Sequence, residues 1–244
     1  MKVLVFDIKG KMAHFRKYYT NSSSLTYFFP PRTTINGLIA GIVGFERDSY
    51  YNLFSKDNSF VAISIKTKLR KIIQTVNYIW AEQKSELNLS KRQHTQIPLE
   101  IVIPNDFNDF VRYRVFFYQK EDEIFNKVIE AVINKKYKYP PYLGISEFIG
   151  DIEFINLKEP EILKDNKLTL SSVLNLDYLK NGRLIQKEDK VYIKERMPYD
   201  FNYDRKLSEE PKDFIVEINT GVIEFENENS LEYFKIDEDY FLFM

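Results

Sequence analysis

Between residues 15 and 34 the sequence reads FRKYYTNSSSLTYFFPPRTT, and these residue types share one chemistry. Arg16 and Lys17 stand beside Tyr18, Tyr19 and Tyr27, and a hydroxyl cluster runs from Thr20 through Ser22 and Ser23 to Ser24. Cations for phosphates and rings for unstacked bases are what single-stranded RNA binding needs. The stretch ends on Pro-Pro-Arg-Thr-Thr, in front of a glycine-bearing apolar run. A helix starting there offers free N–H groups and partial positive charge to an anion. Thr33 or Thr34 can cap it, and Arg32 adds a fork that matches phosphate.

A second basic array follows. In residues 63–70, Ile63, Ile65 and Leu69 alternate with Lys66, Lys68 and Arg70. On one strand this makes an apolar face and a basic ladder spaced at ~6.6 Å. The phase slips near Lys71 and Ile72, which predicts a bulge or the chain leaving the sheet. The next segment, KSELNLSKRQHTQIP, reads as a projecting basic arm carrying Lys91, Arg92 and His94. His94 beside Lys91, or His14 in the first loop, is the candidate base for taking a 2′-OH proton. A single histidine on an RNA-contacting arm more often donates a hydrogen bond, so the non-catalytic reading is preferred.

Other chemistry is poorly supplied. The chain has no cysteine and only two histidines, which excludes thiolate sites and most zinc or haem arrangements. No P-loop, GxGxxG or Ser-His-Asp set is present, and no cofactor or metal is expected. Asp237, Glu238 and Asp239 match no cation-binding loop and read as a solvated, protein-facing tail. No apolar run approaches the ~20 residues that span a bilayer, and the N-terminal apolar run is too short for a signal-peptide core. A cytoplasmic protein with no membrane partner is therefore expected. Charge is uneven although the net is −1. Residues 1–33 hold six cations against one acid, residues 61–95 seven against two, and residues 207–244 two against eleven. That asymmetry fits a polyanion on one face only.

The elements that must position these residues follow from periodicity. Residues 3–8 read as a strand, 9–32 as a loop, 34–45 as a helix, and 61–80 as one long strand. Residues 84–96 read as a hairpin, and 97–103 and 111–119 as strands. Phe125, Val128, Ile129, Val132 and Ile133 mark a helix over 121–136, stopped by Pro140 and Pro141. Residues 148–157 read as a strand. The order β-α-β-β-α-β is that of the ferredoxin-like unit, so the fold class is α+β. Pro160 divides residues 1–159 from a β-rich extension, 160–244, with a hairpin at Asn219-Thr220-Gly221 joining 214–218 to 222–226. On the first helix Gly37, Gly41 and Gly44 fall within about 60° of one another. Each glycine costs ~1 kcal/mol against alanine, so the stripe predicts close approach by another backbone, from this fold, a second chain or a nucleic acid.

The stretch FDIKGKMAHFRKYYTNSSSLTYFFPPRTTINGLIAGIVG resembles the N-terminal signature of CRISPR-associated (Cas) family five, with the type I-B branch nearest. YPPYLGISEFIGDI at 139–152 and KERMPYDFNYDRKL at 194–207 also fit. The resemblance implies a ferredoxin-like domain of the RRM/RAMP type, without the RNP1 motif of an RRM. It implies a Cascade subunit that grips the crRNA 5′ handle and caps the backbone filament. A projecting thumb, here about residues 80–96, would pack on the first backbone subunit, and the protein would touch the large subunit. The RNA would meet Lys9, Lys11, His14, Arg16, Lys17, Tyr18, Ser22, Ser23, Tyr27, Arg32, Thr33 and Thr34, with Lys66, Lys68, Arg70, Lys91 and Arg92 completing the basic surface. One branch of the family is a metal-independent ribonuclease, which is the alternative reading.

Overall fold

The computed structural model describes residues 1–79, 81, 83–87, 94–219 and 221–244. In chain order the first elements are β1 (Val3–Gly10), β2 (Phe15–Arg16), β3 (Thr26–Tyr27), α1 (Arg32–Val43), β4 (Ser59–Ile65), β5 (Leu69–Ile79), β6 (His94–Pro104), β7 (Val111–Gln119), α2 (Asp122–Asn134) and β8 (Asp151–Lys158). Four of them form an antiparallel sheet in the order β4-β7-β1-β8. The run VLVF in β1 is apolar throughout because both sheet faces are covered. Leu4, Phe6 and Ile8 pack with Ile35 and Ile39 of α1 and Phe125, Val128 and Val132 of α2. Val3 and Val5 pack with Phe116, Ile236, Phe241 and Phe243, so the end of the chain closes the other face. Further along that second face the apolar row gives way to Asp7, fully buried and clasped by Arg112 and Arg114 of β7.

The helices lie close to their sequence limits, with differences that have causes. α1 begins at Arg32 on an N-cap, Pro31, whose side chain cannot accept, so Thr33 and Thr34 sit in the first turn and neither caps it. α2 buries Ile124, Phe125, Val128, Ala131 and Val132, while Ile133 is 47% exposed. Its buried stripe takes in Ile124 and Ala131 and leaves out Ile133, which the spacing had placed in it.

The long strand over 61–80 does not exist as one element. β4 ends at Ile65, the chain turns through residues 66–68, and β5 pairs with β6 from Leu69 opposite Pro104 to Ile79 opposite His94. At the turn the Lys66 amide donates to the Arg112 carbonyl and the Leu69 amide to that of Ile218, leaving Lys66 and Lys68 in the turn and Arg70 on β5. Apolar alternation holds on each side of the break, and this is what made the two strands look like one. The β5–β6 pair is a long hairpin whose outer half, from Gln74 on, is mostly exposed.

The rest of the chain is β9 (Glu161–Leu170), β10 (Leu174–Asn175), β11 (Gly182–Ile185), β12 (Tyr192–Met197), β13 (Lys212–Glu217), β14 (Ile223–Ile236) and β15 (Asp239–Phe241). β13 joins β10 and β12, whereas β14 joins β11, β15 and β9. The expected hairpin at residues 219–221 is thus a crossing between two sheets. Glu217 holds the corner, accepting from the amides of Asn219 and Gly221. Gly221 sits at φ 75°, where a Cβ would come 2.8 Å from the Ile65 carbonyl oxygen. The acidic end is not a solvated tail either, since Asp239 is buried and bonded to Lys66 and Arg114.

Candidate nucleic-acid interface

Several of the expected RNA-binding cations are already engaged inside the molecule. Arg32 is 1% exposed; its guanidinium donates to Asp200 at 3.1 Å and to the carbonyls of Phe54 and Ser59. Burial pulls its pKa down and Asp200 works against that. Such a group braces the fold and cannot present a fork to phosphate, which corrects the sequence reading. Lys17 bonds Glu195 at 2.5 Å. Burial lowers the Lys17 pKa, but Glu195 outweighs it and the net direction is up. Lys9 bonds Glu153 at 2.8 Å, which raises its pKa, and Lys66 bonds Asp239. Tyr27 is buried, its hydroxyl donating to the Arg196 carbonyl.

His14 is 2% exposed and structural. Its Nδ1 lies 2.7 Å from the Glu100 carbonyl oxygen and its Nε2 3.0 Å from the Ser24 hydroxyl. A carbonyl only accepts, so Nδ1 carries the proton and Nε2 accepts from Ser24. Burial lowers the His14 pKa and keeps the ring neutral. Enclosed with both nitrogens occupied, His14 is not placed to take a 2′-OH proton. Its bonds instead tie the basic loop to the hairpin, helped by bridges of Ala13 to Val102 and Ser24 to Leu99. Between loop and hairpin lies a cleft of about 250 Å³, lined by Arg16, Asn21, Ser23, Ser24, Val76 and Tyr78. Arg16, Tyr18 and Ser22 are exposed beside it. His94 lies at the far end of β6 opposite Ile79, and Lys91 and Arg92 fall outside the described residues.

The second recess lies along α1 and is larger, about 690 Å³. Thr33 and Thr34 stand at its helix-start end, Gly37, Leu38 and Gly41 along its floor, and Tyr139 and Tyr142 on the opposite wall. Tyr50 and Ile149 also line it. Here the glycine stripe resolves into three different environments. Gly44 caps the helix at φ 97°, where glycine is favoured. A Cβ on Gly37 would lie 3.0 Å from the Tyr50 hydroxyl. A Cβ on Gly41 would meet nothing within 4 Å, so its space is open groove and no other backbone packs there. The facing wall is held by Gly144, at φ 93°, where a Cβ would overlap the His14 carbonyl oxygen. The His14 amide donates to Leu143 at 2.9 Å, which ties this wall to the basic loop.

Sequence reasoning picked out Thr33 and Thr34 but not Tyr50, Tyr139 or Tyr142. The signal for the last two was the YPPY run, four residues that cannot continue α2 and carry two half-exposed rings. The segments 24–44 and 139–152, far apart in sequence, face each other across this groove, and 194–207 holds the start of α1 through Asp200 and the basic loop through Glu195.

A family model described as CRISPR-associated protein (Cas_Cas5) matches residues 3–204. The chain belongs to this CRISPR-associated Cas5 family. Among solved structures, a CRISPR protein from Archaeoglobus fulgidus is similar at 13% identity, covering 98% of each chain with a TM-score of 0.58. A chain of a CRISPR RNA-guided surveillance complex is similar at 11% identity, covering 88% of this chain and 90% of that one, with a TM-score of 0.51. Both likenesses are of fold. No curated protein matches the sequence. The Cas5 match begins in β1 and runs past Asp200, so it takes in both walls of the groove and the ion pair at the start of α1.

Proposed function

We propose that this Cas5 protein is a subunit of a CRISPR RNA-guided effector complex, and that it holds the repeat-derived 5′ handle of crRNA without cutting it. The observation that carries the reading is the meeting of segments 24–44 and 139–152 across one groove. Thr33, Thr34 and the positive end of the α1 dipole would meet phosphate. Tyr139 and Tyr142 would stack unpaired bases. Gly41 leaves the depth that a flat base needs. Arg16, Tyr18, Ser22 and Ser23 continue the path towards the hairpin. The sheet order β4-β7-β1-β8, with a helix after β1 and another after β7, supports a ferredoxin-like arrangement of the RAMP type. The β5–β6 hairpin would be the thumb that reaches the backbone subunit, with the large subunit as a further partner. On this reading residues 1–159 carry the RNA, residues 160–244 support them, and the complex is cytoplasmic.

The test is binding of labelled handle RNA to the purified protein, against a scrambled RNA of equal length, with intact RNA recovered afterwards. The double variant Tyr139→Ala, Tyr142→Ala should bind at least about thirtyfold more weakly, since base stacking contributes ~1–3 kcal/mol per ring. Equal affinity for the scrambled RNA would overturn the handle reading. A single cut at the handle boundary, lost in His94→Ala, would replace it with the endoribonuclease reading.

A further inference from the structure

Among the described residues, four of the cations singled out from the sequence have no carboxylate within 4.0 Å: Lys11, Arg16, Lys68 and Arg70. Two of these, Lys11 and Arg70, reach one short loop with their side chains, residues 105–110 between β6 and β7, and Lys68 meets the same loop through its backbone carbonyl. Its sequence, NDFNDF, repeats a three-residue unit with a phenylalanine at each end position. Both aspartates are turned onto the loop itself: Asp106 accepts from the Asn108 amide at 2.9 Å and Asp109 from the Phe110 amide at 2.7 Å. Lys11 fixes the loop from outside, its ammonium donating to the carbonyls of Asn108 and Asp109 and lying 4.1 Å from the Phe110 ring centre. The Asn105 amide donates to the Lys68 carbonyl at 2.8 Å, which sets Lys68 beside the loop.

The result is an unusual display. Phe107 is 67% exposed and Phe110 38%, although both sit on a loop fixed by hydrogen bonds. The guanidinium carbon of Arg70 lies 4.7 Å from the Phe107 ring centre. Its Nε is buried with no hydrogen-bond partner, so ring contact is the main restraint on that end of the group. Arg70 covers one side of Phe107 and leaves the rest of the ring accessible. A ring backed by a cation, with a second free cation alongside, is the pairing that stacks a base and holds its phosphate. A protein anchor would call for continuous apolar surface. These rings are instead separated by Asn108 and Asp109 and flanked by three cations.

We infer that the loop 105–110 is a second RNA contact, at which Phe107 stacks an unpaired nucleobase of single-stranded RNA while Lys68 and Arg70 meet the adjoining phosphates. The inference rests on the reading that this protein binds RNA and adds a site outside the α1 groove. Lys11 is a positioning residue, acting through the loop backbone.

The experiment is photo-crosslinking with 5-iodouridine placed singly along a single-stranded RNA made of the handle followed by guide sequence, with crosslinked peptides read by mass spectrometry. The expected result is one uridine position that crosslinks to the peptide containing Phe107, separate from those that crosslink to residues 139–149. Phe107→Leu should remove the first crosslink, leave the others, and weaken binding of the extended RNA by about fivefold or more. Phe107→Tyr should keep both crosslink and affinity. Crosslinks confined to residues 139–149, or Phe107→Leu binding the extended RNA as wild type does, overturn the second contact and leave the handle reading standing. An RNA that neither binds nor crosslinks anywhere overturns both.

Discussion

Arg32 and Asp200 stand 168 residues apart in sequence and 3.1 Å apart in the interior. The pair joins the first turn of α1 to the segment after β12, and its second carboxylate oxygen accepts from the Lys56 amide at 3.1 Å. A guanidinium this enclosed cannot lose its counter-charge cheaply. Asp200→Ala should destabilise the protein by ~3–5 kcal/mol, because an unpaired charge is left in the interior. Chemical denaturation of the variant measures it. A loss below ~1 kcal/mol would mean that Arg32 finds another partner or reaches water.

The His14 bonds predict an acid-side loss of stability. Burial holds its pKa below the ordinary 6.5, against a raising effect from the Glu100 carbonyl, while Arg16 and Lys71 also disfavour the charged ring. The unfolded chain therefore takes up a proton near pH 6.5 where the folded protein resists it. Stability is then highest above that value and falls as pH drops from it towards the lower folded pKa. Asp239, where burial pushes the pKa up but Lys66 and Arg114 outweigh it and hold it below 3.8, contributes stability at both of these pH values and loses it only at more acid pH. Unfolding free energies at about pH 7.5 and about pH 5.5 should differ more in wild type than in His14→Gln. Equal differences would show that the imidazole does not titrate with folding.

Lys66 and Lys68 are two residues apart and should behave differently. For single-stranded nucleic acid, each phosphate contact adds about −0.7 to the slope of log affinity against log salt. Lys68→Ala should flatten the slope by about that amount and leave stability unchanged. Lys66→Ala should leave the slope unchanged and lower stability, because it strips Asp239 of one of its two cationic partners. Salt titrations of both variants on the same RNA decide it. The opposite assignment would restore the single-strand basic ladder.

What the sequence could and could not disclose follows from range. β1 and α2 were legible because their burial is written in local periodicity. Phe125, Val128 and Val132 face the core as their spacing demands. The family resemblance likewise rested on contiguous residues. The fate of the cations was not legible. Lys17, Arg32 and Lys66 find carboxylates 178, 168 and 173 residues away, and no local pattern announces such a partner. The break after Ile65 was hidden for a related reason: the apolar alternation of β4 and β5 joins almost in phase across three exposed or half-exposed residues. Gly41 was conspicuous in sequence, but only the fold shows that it faces open space.

Gly41 therefore offers the most direct test of the central claim, that RNA occupies the groove along α1. No atom beyond the helix's own backbone lies within 4 Å of a Cβ added there, and replacing a helical glycine by leucine improves helix propensity by roughly 0.5–1 kcal/mol. Gly41→Leu should fold with unchanged or slightly raised stability while its side chain fills the groove floor. The decisive measurement is the affinity of this variant for the handle RNA, taken beside its unfolding free energy. The account predicts a stable protein whose affinity falls about tenfold or more. A stable Gly41→Leu protein that binds the handle as tightly as wild type would contradict it and place the RNA elsewhere on the molecule.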